Sequence, residues 1–171
     1  DEQYIQISRD GFLEMSLVRR IPKDKAEISG KWLETGDIIF NNTNSTELVG
    51  KTCIFLGWKE RCTFSNHLTR LRCNPSVLIS EWLYVCLREL WLSGYFAANC
   101  VEFVGQSAFN SNKLKELEIP VPPLPEQRRI VKRIEELTRR VGETRKLIRE
   151  AEAELAAFTP ALLAKAFRGE L

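Results

Sequence analysis

The stretch Pro122–Phe158, PPLPEQRRIVKRIEELTRRVGETRKLIREAEAELAAF, decides the architecture. Pro125 suits the first helical position, where a missing N–H costs nothing, and Glu126 puts a carboxylate at the positive end of the helix dipole. Apolar or small residues then fall at Ile130, Ile134, Leu137, Val141, Thr144, Ile148, Ala151, Leu155 and Phe158, in steps that alternate four and three. That is a heptad seam, with Arg, Lys and Glu on the other faces. A two-in-seven stripe is narrower than the face a helix usually buries on its own domain. At ~1.5 Å per residue the helix is roughly 50 Å long, more than a small domain needs. The pattern predicts a spacer helix that pairs with another helix through Ile130, Ile134, Leu137, Val141, Ile148 and Leu155. A helix lying along its own domain is the alternative. Thr159-Pro160 reads as a hydroxyl cap and a first-turn proline, which predicts a separate short docking helix within 159–171, ended by Gly169.

The rest of the 171 residues, 44% hydrophobic overall, suits one domain over 1–121 ahead of the spacer at 122–158. No apolar run approaches the ~20 residues of a membrane span, and no signal peptide opens the chain. A net charge of +2 permits nucleic acid without requiring it. The five cysteines include no closely spaced pair and His67 is the only histidine, so reduced thiols in a cytoplasmic protein fit better than zinc or disulfides. The chain opens on Asp1, directly before an apparent strand, which points to residues cut or left out upstream.

Read in order, Tyr4–Ile7 alternates as a strand, Arg9-Asp10-Gly11 is a turn, Phe12–Ile21 returns as a strand and Pro22–Ala26 connects. Asp37–Phe40 is a short buried strand whose exit, Asn41-Asn42-Thr43-Asn44-Ser45-Thr46, is uniformly polar. Such a run either folds into a rigid, self-bonded loop or presents donors and acceptors to a ligand such as base edges. Leu48–Leu56 and Cys62–Leu71 read as strands around a tip at Lys59–Arg61, and Asn74-Pro75 starts a helix to about Ser93. That helix buries Val77, Leu78, Trp82, Val85, Cys86 and Leu90. Val101–Val104 is a short strand, Gly105–Asn110 a polar loop, and Leu114–Val121 a turn running into a last strand. The expected class is α+β: a mixed-sheet domain with a central helix, then the heptad-bearing helix that pairs as a coiled coil and the short C-terminal helix.

Several chemistries are excluded. Neither GxxxxGK[ST] nor GxGxxG occurs, and no GxSxG or HExxH is present. Asn74-Pro75-Ser76-Val77 lacks the second proline and the aromatic of an amino-methyltransferase motif. The chain reads as a binding component without catalysis or a cofactor of its own.

The residues carry a family likeness. Gly36–Ser45 with Leu48-Val49-Gly50-Lys51-Thr52 resembles the loop segment in target-recognition domains of type I restriction–modification specificity subunits. Gly105–Asn110, Lys113-Leu114 and Ile119–Gln127 are similar to the end of that domain and its passage into the spacer helix, and Ala166–Leu171 to its closing tail. The proline–Glu–Gln junction followed by heptads is the most specific piece. Asn42 stands where many relatives have arginine. Such subunits commonly hold two of these modules, and this chain holds one.

The resemblance implies that the domain reads one half of a bipartite site on double-stranded DNA. The spacer helix would pair, antiparallel, with that of a second copy or a second like module. The helices would dock modification (methyltransferase) subunits, which supply the S-adenosylmethionine chemistry, and the restriction subunit is a further partner. The candidate DNA-binding residues are Asn41, Asn42, Thr43, Asn44, Ser45, Lys51, Arg61, Arg70, Arg72, Gln106 and Lys113. The cations would hold phosphates and the amides would read adenine edges. The competing functional reading is a coiled-coil adaptor whose domain binds a protein or peptide.

Overall fold

The structure is a computed structural model and describes residues 2–4, 19–21 and 32–170. Glu2–Tyr4 (β1) pairs antiparallel with Arg19–Ile21 (β2), in register Gln3↔Arg20. The predicted turn at Arg9–Gly11, the connection at Pro22–Ala26 and the rest of both flanking strands lie outside the described residues. Ile38–Asn41 (β3) follows, then Thr43–Asn44 (β4), Thr52–Ile54 (β5), Cys62–Thr63 (β6) and Leu68–Leu71 (β7). Three small sheets result once Val101–Phe103 (β8) and Gln106–Ala108 (β9) are added, in the orders β2-β1-β6, β5-β3-β7 and β4-β9-β8. The β1–β6 pair is parallel and the others antiparallel, so the strand content is mixed as expected.

β3 sits centrally in its sheet and every residue of it is buried. Strand alternation sends its side chains to two clusters. Ile39 joins Leu33, Cys53, Phe55, Cys62 and Phe64. Ile38 and Phe40 join Val49, Leu87, Phe96 and Phe109. The second cluster is held by aromatic edge-to-face contacts, with Phe96 ring centroids 5.0 Å from both Phe40 and Phe109.

Helix Ser80–Leu92 (α1) begins later than Asn74. Residues after Asn74 instead form a turn in which its carbonyl accepts from the Val77 and Leu78 amides, and its side chain from the Ser76 amide. Leu90 meets the second cluster as expected, but the face also differs from expectation: Leu83, Tyr84, Leu87 and Trp91 join it, while Val77 is exposed. Trp82 is buried and donates from Nε1 to the Pro120 carbonyl at 2.8 Å, in keeping with a core tryptophan. Tyr95–Asn99 (α2) supplies Phe96, and Ser111–Lys115 (α3) precedes a segment without regular structure where a final strand was expected. The predicted polar loop at Gly105–Asn110 is largely strand β9, because Val104-Gly105 closes a two-residue hairpin with Gly105 at φ +80°.

Leu124–Phe167 (α4) is one helix of 44 residues, about 65 Å at ~1.5 Å per residue. The expected break at Thr159-Pro160 is absent, so no separate short helix forms over 159–171. Pro160 removes one backbone donor, and on this exposed stretch water can take the freed carbonyl. Gly169, at φ +71°, then terminates the chain's helical run, with the Gly169 and Glu170 amides closing onto Ala166 and Lys165. The chain divides into two compact units, Asp1–Arg128 and Arg129–Leu171, so the division falls inside α4 rather than at residue 121.

Gly50 has φ +85°, and a Cβ placed on it would lie 2.2 Å from the Phe96 ring. Gly50→Ala should therefore destabilise the first unit by about 3 kcal/mol through overpacking and backbone strain. Denaturant unfolding of the variant measures it, and an unchanged midpoint would contradict the packing described.

Candidate nucleic-acid interface

The polar exit of β3 is tied down by its own side chains. Asn42 donates from Nδ2 to Thr43 Oγ1 (3.1 Å) and the Asn66 carbonyl (3.2 Å), and its Oδ1 accepts from Thr69 Oγ1 at 3.1 Å. Its backbone N–H reaches the His67 carbonyl and its carbonyl accepts from the Phe109 N–H at 2.9 Å. One asparagine thus links β3 and β7 to the segment after β9. Asn44 Oδ1 accepts from the Ser45 N–H at 2.8 Å, and the Ser45 carbonyl accepts from Leu48 and Val49. The run is therefore tied down through Asn42 and Asn44, while the buried Asn41 Oδ1 has no hydrogen-bond partner among the described residues.

Two of the expected DNA contacts are buried. Asn41 is buried at the end of β3, where its backbone pairs with Lys51 and Gly50. Lys51 is 4% exposed, held at the start of β5 beside Cys53, so its ammonium is withdrawn from the surface a phosphate would reach. Ser45 Oγ is likewise buried and has no hydrogen-bond partner among the described residues. Thr43 and Asn44 remain half-buried within β4.

The arginines divide. Arg70 donates to the Trp32 carbonyl. Arg72 clamps Asp37 through Nε at 2.7 Å and Nη2 at 2.8 Å, and reaches Glu34 at 2.8 Å, so it is a structural partner of a buried carboxylate rather than a free strand-edge charge. Arg61 is exposed and stacks its guanidinium 3.8 Å from the Trp32 ring centroid. Lys113 is exposed on α3 and reaches the Asn99 carbonyl at 3.3 Å.

β4, β9 and β8 bring the remaining candidates together. Thr43 pairs with Ala108, which pairs with Val101, and Phe103 pairs with Gln106. Because strand side chains alternate, Thr43, Ala108, Val101, Phe103 and Gln106 share one face, and Asn44, Ser107 and Glu102 the other. The second face is closed by Thr46, whose Oγ1 lies 2.7 Å from Ser107 Oγ and 3.4 Å from Glu102 Oε1. The first is open: Val101, Phe103 and Gln106 are exposed. Sequence reading overlooked Phe103 and Val104, although the alternation on either side of Val104-Gly105 is a hairpin signal. The proline–Glu–Gln junction also supplies Gln127. That side chain is fully buried, donating to the Val77 and Pro122 carbonyls at 2.9 and 2.7 Å and accepting from the Ile79 N–H at 3.1 Å. It thereby caps α1, whose own first residues offer no side-chain cap.

The heptad positions on α4 are exposed in the single chain: Ile134, Leu137, Val141, Ile148 and Leu155 range from 36 to 73% accessible, and Ile130 is half-buried. The pairs Arg133–Glu136, Arg139–Glu143 and Lys146–Glu150 lie along the same helix one turn apart. All five cysteines are free, and burial pushes the Cys53 thiol up to about 12 against the pull of Lys51, which makes it chemically inert. Among the described residues no helix is long and apolar enough to cross a membrane.

Comparison with known proteins defines the class. Residues 12–153 match the type I restriction modification DNA specificity domain. The chain is 31% identical over 154 residues to the type I restriction enzyme StySPI specificity subunit of Salmonella potsdam, covering 90% of this chain and 33% of that protein. It is 31% identical over 145 residues to the putative MjaX specificity subunit of Methanocaldococcus jannaschii, covering 84% and 34%. Among solved structures, a chain from a type I R-M system studied for its assembly and conformational transition superposes with a TM-score of 0.64 at 30% identity, over 82% of this chain and 33% of that one. The HsdS subunit of Thermoanaerobacter tengcongensis superposes with a TM-score of 0.56 at 30% identity, over 82% and 31%. The chain belongs to the type I restriction–modification specificity-domain family, and it spans about a third of the length of these relatives.

Burial raises the Asp37 carboxyl pKa, but the hydrogen bonds from Arg72 and the Glu34 amide outweigh it, and the net position is below the ordinary carboxylate value. A depressed folded-state pKa contributes stability above the unfolded value, near ~3.9, that is lost as pH falls through the folded one. Arg72→Ala removes the depressing partner, so acid unfolding should begin at higher pH than in the unaltered chain. Circular dichroism across an acid titration measures the midpoint, and coincident curves would contradict the clamp.

Proposed function

We propose that this chain is a sequence-specific DNA recognition component of a cytoplasmic type I restriction–modification complex. The first unit reads one half of a bipartite site. The spacer helix pairs through its heptad seam with that of a second copy or second like module, and the helices dock modification subunits, with the restriction subunit as a further partner. The observation that carries the pairing is the bare stripe Ile134, Leu137, Val141, Ile148 and Leu155 on a helix of 44 residues. Knobs-into-holes packing against another helix is the arrangement that covers such a stripe. Of the candidate DNA contacts, Thr43 and Asn44 are half-buried and Arg61, Gln106 and Lys113 exposed, which supports the last three most. Chemistry on the DNA belongs to the modification subunits, whose cofactor this chain does not bind. A two-fold pair of modules would read an inverted repeat.

Two measurements test this reading. Affinity for duplex DNA should fall steeply with salt, and Lys113→Ala should weaken all sequences alike and reduce the slope of log K against log[salt] by about 0.9. A salt-independent association would instead favour a protein-binding adaptor. On the helix, Leu137→Glu should convert a dimer to a monomer by light scattering while the first unit keeps its melting transition. Loss of that transition would mean that the seam serves the domain itself.

A further inference from the structure

The β8–β9 ribbon ends in an exposed tip. Val104 is fully exposed and Phe103 is 63% exposed. Nothing lies within 4 Å of a Cβ placed on Gly105, so the turn stands clear of the unit. Phe103 is cross-strand partner to Gln106, and no protein group holds the Gln106 amide among the described residues. At the base of the ribbon, Lys113 Nζ sits 3.3 Å from the Asn99 carbonyl, two residues before Val101. An apolar tip and a free amide therefore occur on one protruding element, with the α3 cation Lys113 near its base. In the asparagine loop, by contrast, the Asn42 amide is taken up by Thr43, Asn66 and Thr69, and Asn44 Oδ1 by the Ser45 N–H.

We propose that this ribbon, and not the asparagine run, determines sequence specificity. It enters the major groove and reads A·T pairs through Gln106 together with the Phe103–Val104 tip. A two-stranded ribbon fits the ~12 Å width of that groove. An A·T pair presents, on one edge, the adenine N7 acceptor and N6 donor that a carboxamide matches, and the thymine C5-methyl that an apolar side chain covers. Lys113 would meet a phosphate at the groove wall and fix the register. A protein surface would match the apolar tip but gives no reason for an uncommitted amide in register with it.

The inference rests on the DNA-reading function proposed above, and its test separates the two. Preferred duplexes are selected from a randomised library with the full chain, assembled with its modification subunits. Each thymine of the preferred half-site is then replaced by uracil, which removes only the methyl. Affinity should drop about fourfold at one or more positions, the worth of one buried methyl. Val104→Ser, or Phe103→Ser as a second variant, should erase that dependence while the melting temperature stays unchanged, because both side chains are exposed. Gln106→Ala should relax the preference for adenine at the neighbouring position. Selective binding with no uracil penalty, or a penalty that survives both tip variants, overturns the ribbon assignment alone. Failure to enrich any sequence overturns the DNA-reading function and the ribbon with it. Loss of modification-subunit assembly in the tip variants, with methyl dependence intact, would reassign the tip to a protein contact.

Discussion

The first unit is organised by the demand that β3 places on both of its faces. Ile38, Ile39 and Phe40 are completely buried, so the strand must be covered from two sides at once. One side is filled by Leu33, Cys53, Phe55, Cys62 and Phe64, and the other by the aromatic group around Phe96 and by α1. Where β3 ends, the chain has no further apolar surface to bury but still has backbone groups to satisfy. The asparagine run answers that need. Asn42 closes onto Asn66, His67, Thr69 and Phe109, and so brings β4 and then β9 into line with the central sheet. The protruding ribbon is a consequence of that knot, since β9 is aligned by β4 and carries β8 with it.

A second set of constraints fixes the end of the unit. Asp37 opens β3 and is held by Arg72 at the end of β7, so both ends of the sheet are pinned by polar contacts to buried groups. Gln127 performs the same kind of work at the start of α4, using both carboxamide atoms on the loop before α1. The proline–Glu–Gln junction is thus a covalently economical join. The prolines pre-set the backbone, Glu126 suits the helix N-terminus, and Gln127 anchors the first turn. Beyond Val131 the helix is exposed almost throughout and is a charged rod with one apolar line.

Much of this was legible in the sequence. The heptad spacing located α4, and the short apolar run at Asp37–Phe40 located the central strand. The family likeness was carried by the asparagine loop and by the proline–Glu–Gln junction. What escaped had physical causes. Pro160 was read as a break, but a single missing donor on an exposed helix is tolerated. The helix was started at Asn74 because Asn-Pro also begins a capped turn, and here the turn precedes α1 by several residues. Lys51 and Arg72 were chosen for their charge, which says nothing about burial or about a carboxylate brought close by the fold. The ribbon was missed because Gln106-Ser107-Ala108 is too short and too polar to announce a strand without its partners.

The most direct measurement is amide hydrogen exchange on the full chain, free and bound to a selected duplex. If the ribbon is the DNA-facing element, exchange should slow across Val101–Ala108 and around Lys113, with little change in the already bonded Asn42–Ser45 loop. Slowing confined to the Asn74–Ser80 side of the unit, with the ribbon unchanged under saturating duplex, would contradict it.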